Sequence, residues 1–126
     1  MAPGRSSIAM DELISEYRDA ALTHRTASRA GDHEKANSAY ERLASIVREV
    51  RKRSDEEKTV FLELLSDPSI EVRGWAASHA LEFAPDRAEP VLEEIASGPE
   101  SLEEFSARIV LQEWRGGRLQ FPMTVR

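Results

Sequence analysis

The sequence predicts an all-α protein, and three observations carry that prediction. No segment of the 126 residues alternates apolar and polar side chains with period two. Six segments instead repeat apolar residues at spacings of three and four. Gly, Pro and Asp punctuate the gaps between them, and the segments take up roughly 70% of the chain, well above the ordinary helical share.

Met1–Ala9 reads as a flexible N-terminal segment, and Met10 as an alternative initiator. A helical domain over residues 10–126 follows, with Asp11 and Glu12 placed where the helix dipole favours acids. The first helix spans about Asp11 to Ala30 with the stripe Leu13, Ile14, Tyr17, Ala20, Ala21 and His24. Gly31 ends it and Asp32 caps the second, about His33 to Arg53. The stripe there is Ala36, Ala39, Tyr40, Leu43, Ile46, Val47 and Val50. One apolar face on each predicts an antiparallel hairpin over residues 10–54.

Ser54 and Glu57 form a capping box that opens a third helix carrying Val60, Phe61, Leu64 and Leu65. Asp67-Pro68 breaks it. The fourth helix is expected from about Ser69 to Phe83, with a break at Ala84-Pro85-Asp86. Val72, Ala76, Ala80 and Phe83 share one of its faces, and Ile70, Ala77 and Leu81 a second, so it should be packed between neighbours. The fifth helix, about Arg87 to Ser97, buries Val91, Leu92 and Ile95 and stops at Gly98-Pro99. The sixth, about Ser101 to Trp114, begins with the box Ser101–Glu104 and ends at Gly116-Gly117. It too has two apolar faces: Leu102, Phe105 and Ile109 on one, Ala107, Val110, Leu111 and Trp114 on the other. The apolar tail Leu119–Met123, within residues 117–126, is expected to fold back over its outer face, which is otherwise a dimer or partner contact. Monomer and homodimer both stay open.

Leu64 to Leu81 resembles one HEAT-type repeat. The resemblance rests on Asp67-Pro68, Val72-Arg73, Ala76-Ala77 and Ala80-Leu81. It implies a first repeat over 55–85, a degenerate second over 86–116, and a short α-α superhelix of two HEAT-like helix pairs after the hairpin. It also implies that Arg73 holds the inter-helix turn, with Asp67 as its available partner. The whole chain is similar to a small bacterial family of uncharacterised HEAT-like proteins with a Val-Arg-x-x-Ala-Ala helix and a terminal segment like Glu113-Trp114-Arg115-Gly116-Gly117. HEAT-like arrays generally serve as protein-binding surfaces.

Composition narrows the function classes. Without cysteine there is no disulfide, thiolate metal site or cysteine nucleophile. No run approaches the roughly 20 apolar residues that span a bilayer, and none marks a secretory signal, so a cytoplasmic protein is expected. Residues 1–53 hold ten Lys/Arg and eight Asp/Glu, and residues 54–126 seven and fifteen, so the balances of +2 and −8 give the net −6. The acidic half repels phosphate backbones and favours a basic protein partner. The run Arg48, Arg51, Lys52 and Arg53 reads as dipole-favoured cations at a helix end rather than a phosphate site.

No nucleophile elbow, phosphate loop or His-Glu-x-x-His spacing occurs, and His24, His33 and His79 do not share a helix face. No catalytic residue, metal or cofactor is therefore assigned. Glu93-Glu94 and Glu103-Glu104 read as solvated faces and helix-start acids rather than an acid–base pair. Trp75 stands out: it lies between the packed and wet sides of the fourth helix, near Glu71, Ser78, His79 and Glu82. Interface hot spots favour tryptophan, so these five residues form the candidate partner-binding set. The expected function is a non-enzymatic protein-interaction module, in one version an immunity or antitoxin-like protein for a basic partner. The alternative is a small-molecule-binding protein or enzyme with its site between the hairpin and the fourth helix.

Overall fold

The structure, a computed structural model, describes residues 8–120. Residues 1–7 of the expected flexible segment and residues 121–123 of the expected tail cover fall outside them, whereas Ile8 and Ala9 are described, Ala9 as the residue that precedes the first helix. The described residues form six α-helices and one 3-10 segment, with no strand among them. None of the helices is long and apolar enough to cross a membrane. The chain divides into two compact units between Phe61 and Leu62.

The first unit holds α1 (Met10–Ala30), α2 (His33–Arg51) and α3 (Asp55–Phe61). The expected hairpin is present: α1 packs along α2, and α3 packs on both. The turn between α1 and α2 follows from Gly31, whose φ of 76° is one that glycine adopts without a side-chain penalty. Gly31 N–H donates to the Ser28 carbonyl and Asp32 N–H to the Ala27 carbonyl, the paired bonds of a Schellman stop. The Asp32 carboxylate then accepts from Lys35 N–H at 3.1 Å and opens α2. Leu13, Tyr17, Ala20 and Ala21 of α1 are buried, as are Leu43, Ile46, Val47 and Val50 of α2. Phe61 meets the Tyr17 ring edge-on, centroids 5.0 Å apart.

The second unit starts with the 3-10 segment Leu62–Ser66, followed by α4 (Ile70–Ala80), α5 (Pro85–Ala96) and α6 (Leu102–Arg115). The third helix expected through Leu65 is thus shorter. It stays α-helical only to Phe61, then tightens to 3-10 geometry, which lets Leu62, Leu64 and Leu65 all be buried ahead of the Asp67-Pro68 stop. The span expected as the first helix of a repeat is therefore divided: α3 packs with the hairpin, the 3-10 segment with α4.

α4 ends at Ala80 rather than Phe83. Ala84 precedes a proline, which disfavours α backbone there, and its φ and ψ are −149° and 59°. The final turn tightens instead, with Phe83 and Ala84 N–H both donating to the Ala80 carbonyl. Pro85, expected inside a break, is the first residue of α5, where its missing N–H is no loss. Pro90 lies inside α5 and removes the donor that the Asp86 carbonyl would have met, but both residues are exposed, so water can reach that carbonyl. α4 packs on α5 and α6, and α5 packs on α6. Val72, Ala76, Ala77, Ala80 and Leu81 are all fully buried, as the two apolar faces of α4 required. Ile70 and Phe83 are only half-buried.

Candidate functional site

α4 carries the sequence-predicted set except Glu82, which lies in the turn after it, and the start of α4 fixes the register. The Asp67 carboxylate accepts from Ser69 N–H at 3.0 Å, which closes the turn after Pro68. Arg73 Nη1 donates to the Asp67 carbonyl at 2.8 Å and the Pro68 carbonyl at 3.2 Å. Arg73 thus bridges the turn before α4 through the backbone at Asp67 and Pro68. The accepting atom is the backbone oxygen, because the carboxylate is engaged by Ser69.

From that start, Glu71, Trp75, Ser78, His79 and Glu82 fall at the three- and four-residue steps that bring side chains together on a helix. Trp75 is half-buried, and its Nε1 donates to Glu71 Oε2 at 2.8 Å. The His79 ring stacks against the indole, centroids 5.7 Å apart and planes 23° from parallel. His79 is fully buried, and desolvation pushes its pKa down from 6.5 to about 3, so the imidazole is neutral at physiological pH. Ser78 is buried too, its hydroxyl donating to the Gly74 carbonyl at 2.8 Å. The structure therefore divides the set. Trp75, Glu71 and Glu82 are partly accessible, whereas Ser78 and His79 lie beneath them. The physical reason is the shortness of the residues around them: Gly74, Ala76, Ala77 and Ala80 let neighbouring helices come close and close over the histidine. Chemically the cluster offers an indole face of fixed orientation beside a carboxylate, and a buried imidazole that gives up no proton near neutral pH.

Two of the four acids set aside as a proton-transfer pair, Glu93 and Glu104, are engaged in ion pairs. Glu93 and Glu89 of α5 both accept from Arg115 of α6. Glu104 is buried, caps nothing with its carboxylate, and pairs with Arg108 at 2.8 Å, four residues on. Its own N–H donates to Ser101 Oγ at 3.0 Å, so only half of the expected capping box forms. At Ser54–Glu57 both halves are present, at 3.2 and 3.5 Å. Among the described residues no three His, Asp or Glu side chains gather as metal ligands would.

One feature went unrecognised in the sequence. Arg53, grouped with the exposed basic run, is half-buried and engaged: it donates to Glu49 at 2.7 Å, Glu57 at 3.1 Å and the Ile8 carbonyl at 2.7 Å. The i, i+4 spacing of Glu49, Arg53 and Glu57 was a signal that could have found two of those bonds. The uneven charge read from the sequence becomes sharper when it is counted by unit. The first unit holds eleven Lys/Arg and eleven Asp/Glu; the second holds six Arg and twelve Asp/Glu, so 0 and −6 give the whole net charge to the second unit.

α6 also leaves one side uncovered. Leu102, Phe105 and Ile109 are 66%, 52% and 40% exposed, with the Arg108 guanidinium over the Phe105 ring at 5.5 Å. Ala107 and Leu111 on the opposite side are buried.

Residues 11–114 match the family model described as Domain of unknown function (DUF2019). No curated protein matches the chain significantly. The fold is similar to the crystal structure of the protein RPA1889 from Rhodopseudomonas palustris CGA009, with a TM-score of 0.85 and 22% identity over 92% of this chain and 96% of that one.

Proposed function

The chain belongs to the DUF2019 family, and on that premise we propose that it is a non-enzymatic protein-interaction module of the bacterial cytoplasm whose second unit receives a basic partner. The observation that carries this reading is Trp75: a partly accessible indole held by a hydrogen bond to Glu71 and by the stacked His79 ring. An aromatic fixed before binding loses little side-chain freedom on contact, which is how interface anchors gain affinity. The acids around it belong to the unit that carries the full −6, which favours encounter with positive charge. An immunity or antitoxin-like role toward a basic protein is one specific form of this reading.

We also read the segment from Leu62 to Arg115 as a short HEAT-like stack. The Asp67-Pro68 turn braced by Arg73, and a central α4 apolar on two sides, support it.

Affinity capture from native lysate, with wild type beside Trp75→Ala and thermal melting of both, tests the function. The expected result is a protein retained by wild type and lost from an equally stable variant. Retention of nothing by wild type at low salt, or equal retention by both, would overturn the reading.

A further inference from the structure

α1 begins without a side-chain cap. Ala9 stands at the capping position and offers no side-chain acceptor, whereas Asp32 caps α2 and Ser101 caps α6. The first turn rests on backbone bonds instead: Glu12 and Leu13 N–H both donate to the Ala9 carbonyl, at 3.0 and 3.1 Å. Asp11 and Glu12 are exposed, so water competes for these bonds directly. A helix end of this kind is the first part of a helix to open. Yet two of the residues that it carries, Met10 and Leu13, are buried in the core of the first unit.

The group that holds this turn lies 45 residues away in sequence. Arg53 Nη2 donates to the Ile8 carbonyl at 2.7 Å. The Ile8–Ala9 peptide leads straight into the Ala9 carbonyl, so fixing the first aims the second at its two donors. Arg53 is itself oriented. Its Nε donates to Glu49 at 2.7 Å and its Nη1 to Glu57 at 3.1 Å. Glu49 belongs to α2 and Glu57 to α3, so one guanidinium ties the entry of α1 to both other helices of its unit. Three nitrogens in one rigid plane serve three acceptors, which an ammonium group on a flexible stem does not do. Glu49 is buried, so salt screens its pair with Arg53 only weakly.

We infer that Arg53 is a latch on the first turn of α1. While its bond to the Ile8 carbonyl stands, residues 8–13 stay closed. When that bond is lost, the turn opens by itself and uncovers Met10, while α2 keeps its packing. The latch is independent of the binding role proposed for Trp75.

An Arg53→Met/Glu49→Leu variant separates a latch from a general contribution to stability. It strands no buried carboxylate, yet it leaves the Ile8 carbonyl without its donor. Native-state amide hydrogen exchange is measured at Glu12 and Leu13, and at the buried Ile46 and Val47 of α2 for reference. The expected result is exchange at least about tenfold faster than in wild type at Glu12 and Leu13, with Ile46 and Val47 changed less than about threefold. Equal acceleration at all four amides would make Arg53 a general stabiliser and overturn the inference. No acceleration at Glu12 and Leu13 would overturn it as well. Should the double variant fail to melt cooperatively, Arg53→Lys repeats the measurement. It keeps the charge beside Glu49 without serving three acceptors, and the same outcomes decide.

Discussion

His79 couples stability to acidity. Its folded pKa of about 3 lies below the unfolded value of 6.5, so between those values the unfolded chain holds a proton that the folded chain does not. Stability from this group is complete above 6.5 and is lost as pH falls through that window, at about 1.4 kcal/mol per pH unit. His79→Leu, apolar and of similar size, should flatten the decline of melting temperature between pH 7 and 5; an unchanged slope would rule the histidine out as its source. Arg53 gives a second test. Removing it strands the buried Glu49 carboxylate, which should cost about 3–5 kcal/mol in Arg53→Met. Arg53→Met with Glu49→Leu should recover most of that loss in chemical denaturation. At Gly74 the expected sign is opposite. An added Cβ would sit 3.8 Å from Ile95 Cδ1, an ordinary contact, so Gly74→Ala should stabilise by about 0.5–1 kcal/mol through helix propensity. A lower melting midpoint would refute it.

At the scale of helices, most of what was legible came from local chemistry. Gly31, Asp32, Ser54 and Gly117 act within a few residues of themselves, and each stop or cap forms where its residue type required it. The alanines of α4 likewise announced a helix enclosed on two sides. What stayed hidden depends on residues distant in sequence. Phe61 finds its ring partner in Tyr17, and Arg53 one of its acceptors in the Ile8 carbonyl, each more than forty residues away. The full burial of His79 was hidden because a histidine next to a serine reads as partly polar surface until helices close over it. Helix ends admit a direct check. Nothing lies within 4 Å of a Cβ built on Gly31, so Gly31→Ala should cost only the left-handed backbone penalty, about 1–2 kcal/mol, and Gly31→Asn less. Equal stability of the alanine variant and wild type would mean that α1 ends otherwise in solution.

For the whole molecule, the division of charge matters more than its total. A neutral first unit and a second unit of −6 mean that a basic probe senses the second unit alone at long range. Binding of an oligolysine peptide should therefore weaken steeply as salt shortens the Debye length, while the melting temperature hardly moves. Salt-insensitive binding would point to an apolar contact instead. The same division sorts the chromophores. Both tyrosines, Tyr17 and Tyr40, belong to the first unit, and both tryptophans, Trp75 and Trp114, to the second. The protein thus carries an optical label on each half without any engineering. Excitation at the red edge of the aromatic band follows the second unit alone, and tyrosine emission weights the first. Superimposable unfolding curves from the two would establish that the halves unfold as one cooperative body, and separated curves would give the stability of each in a single titration.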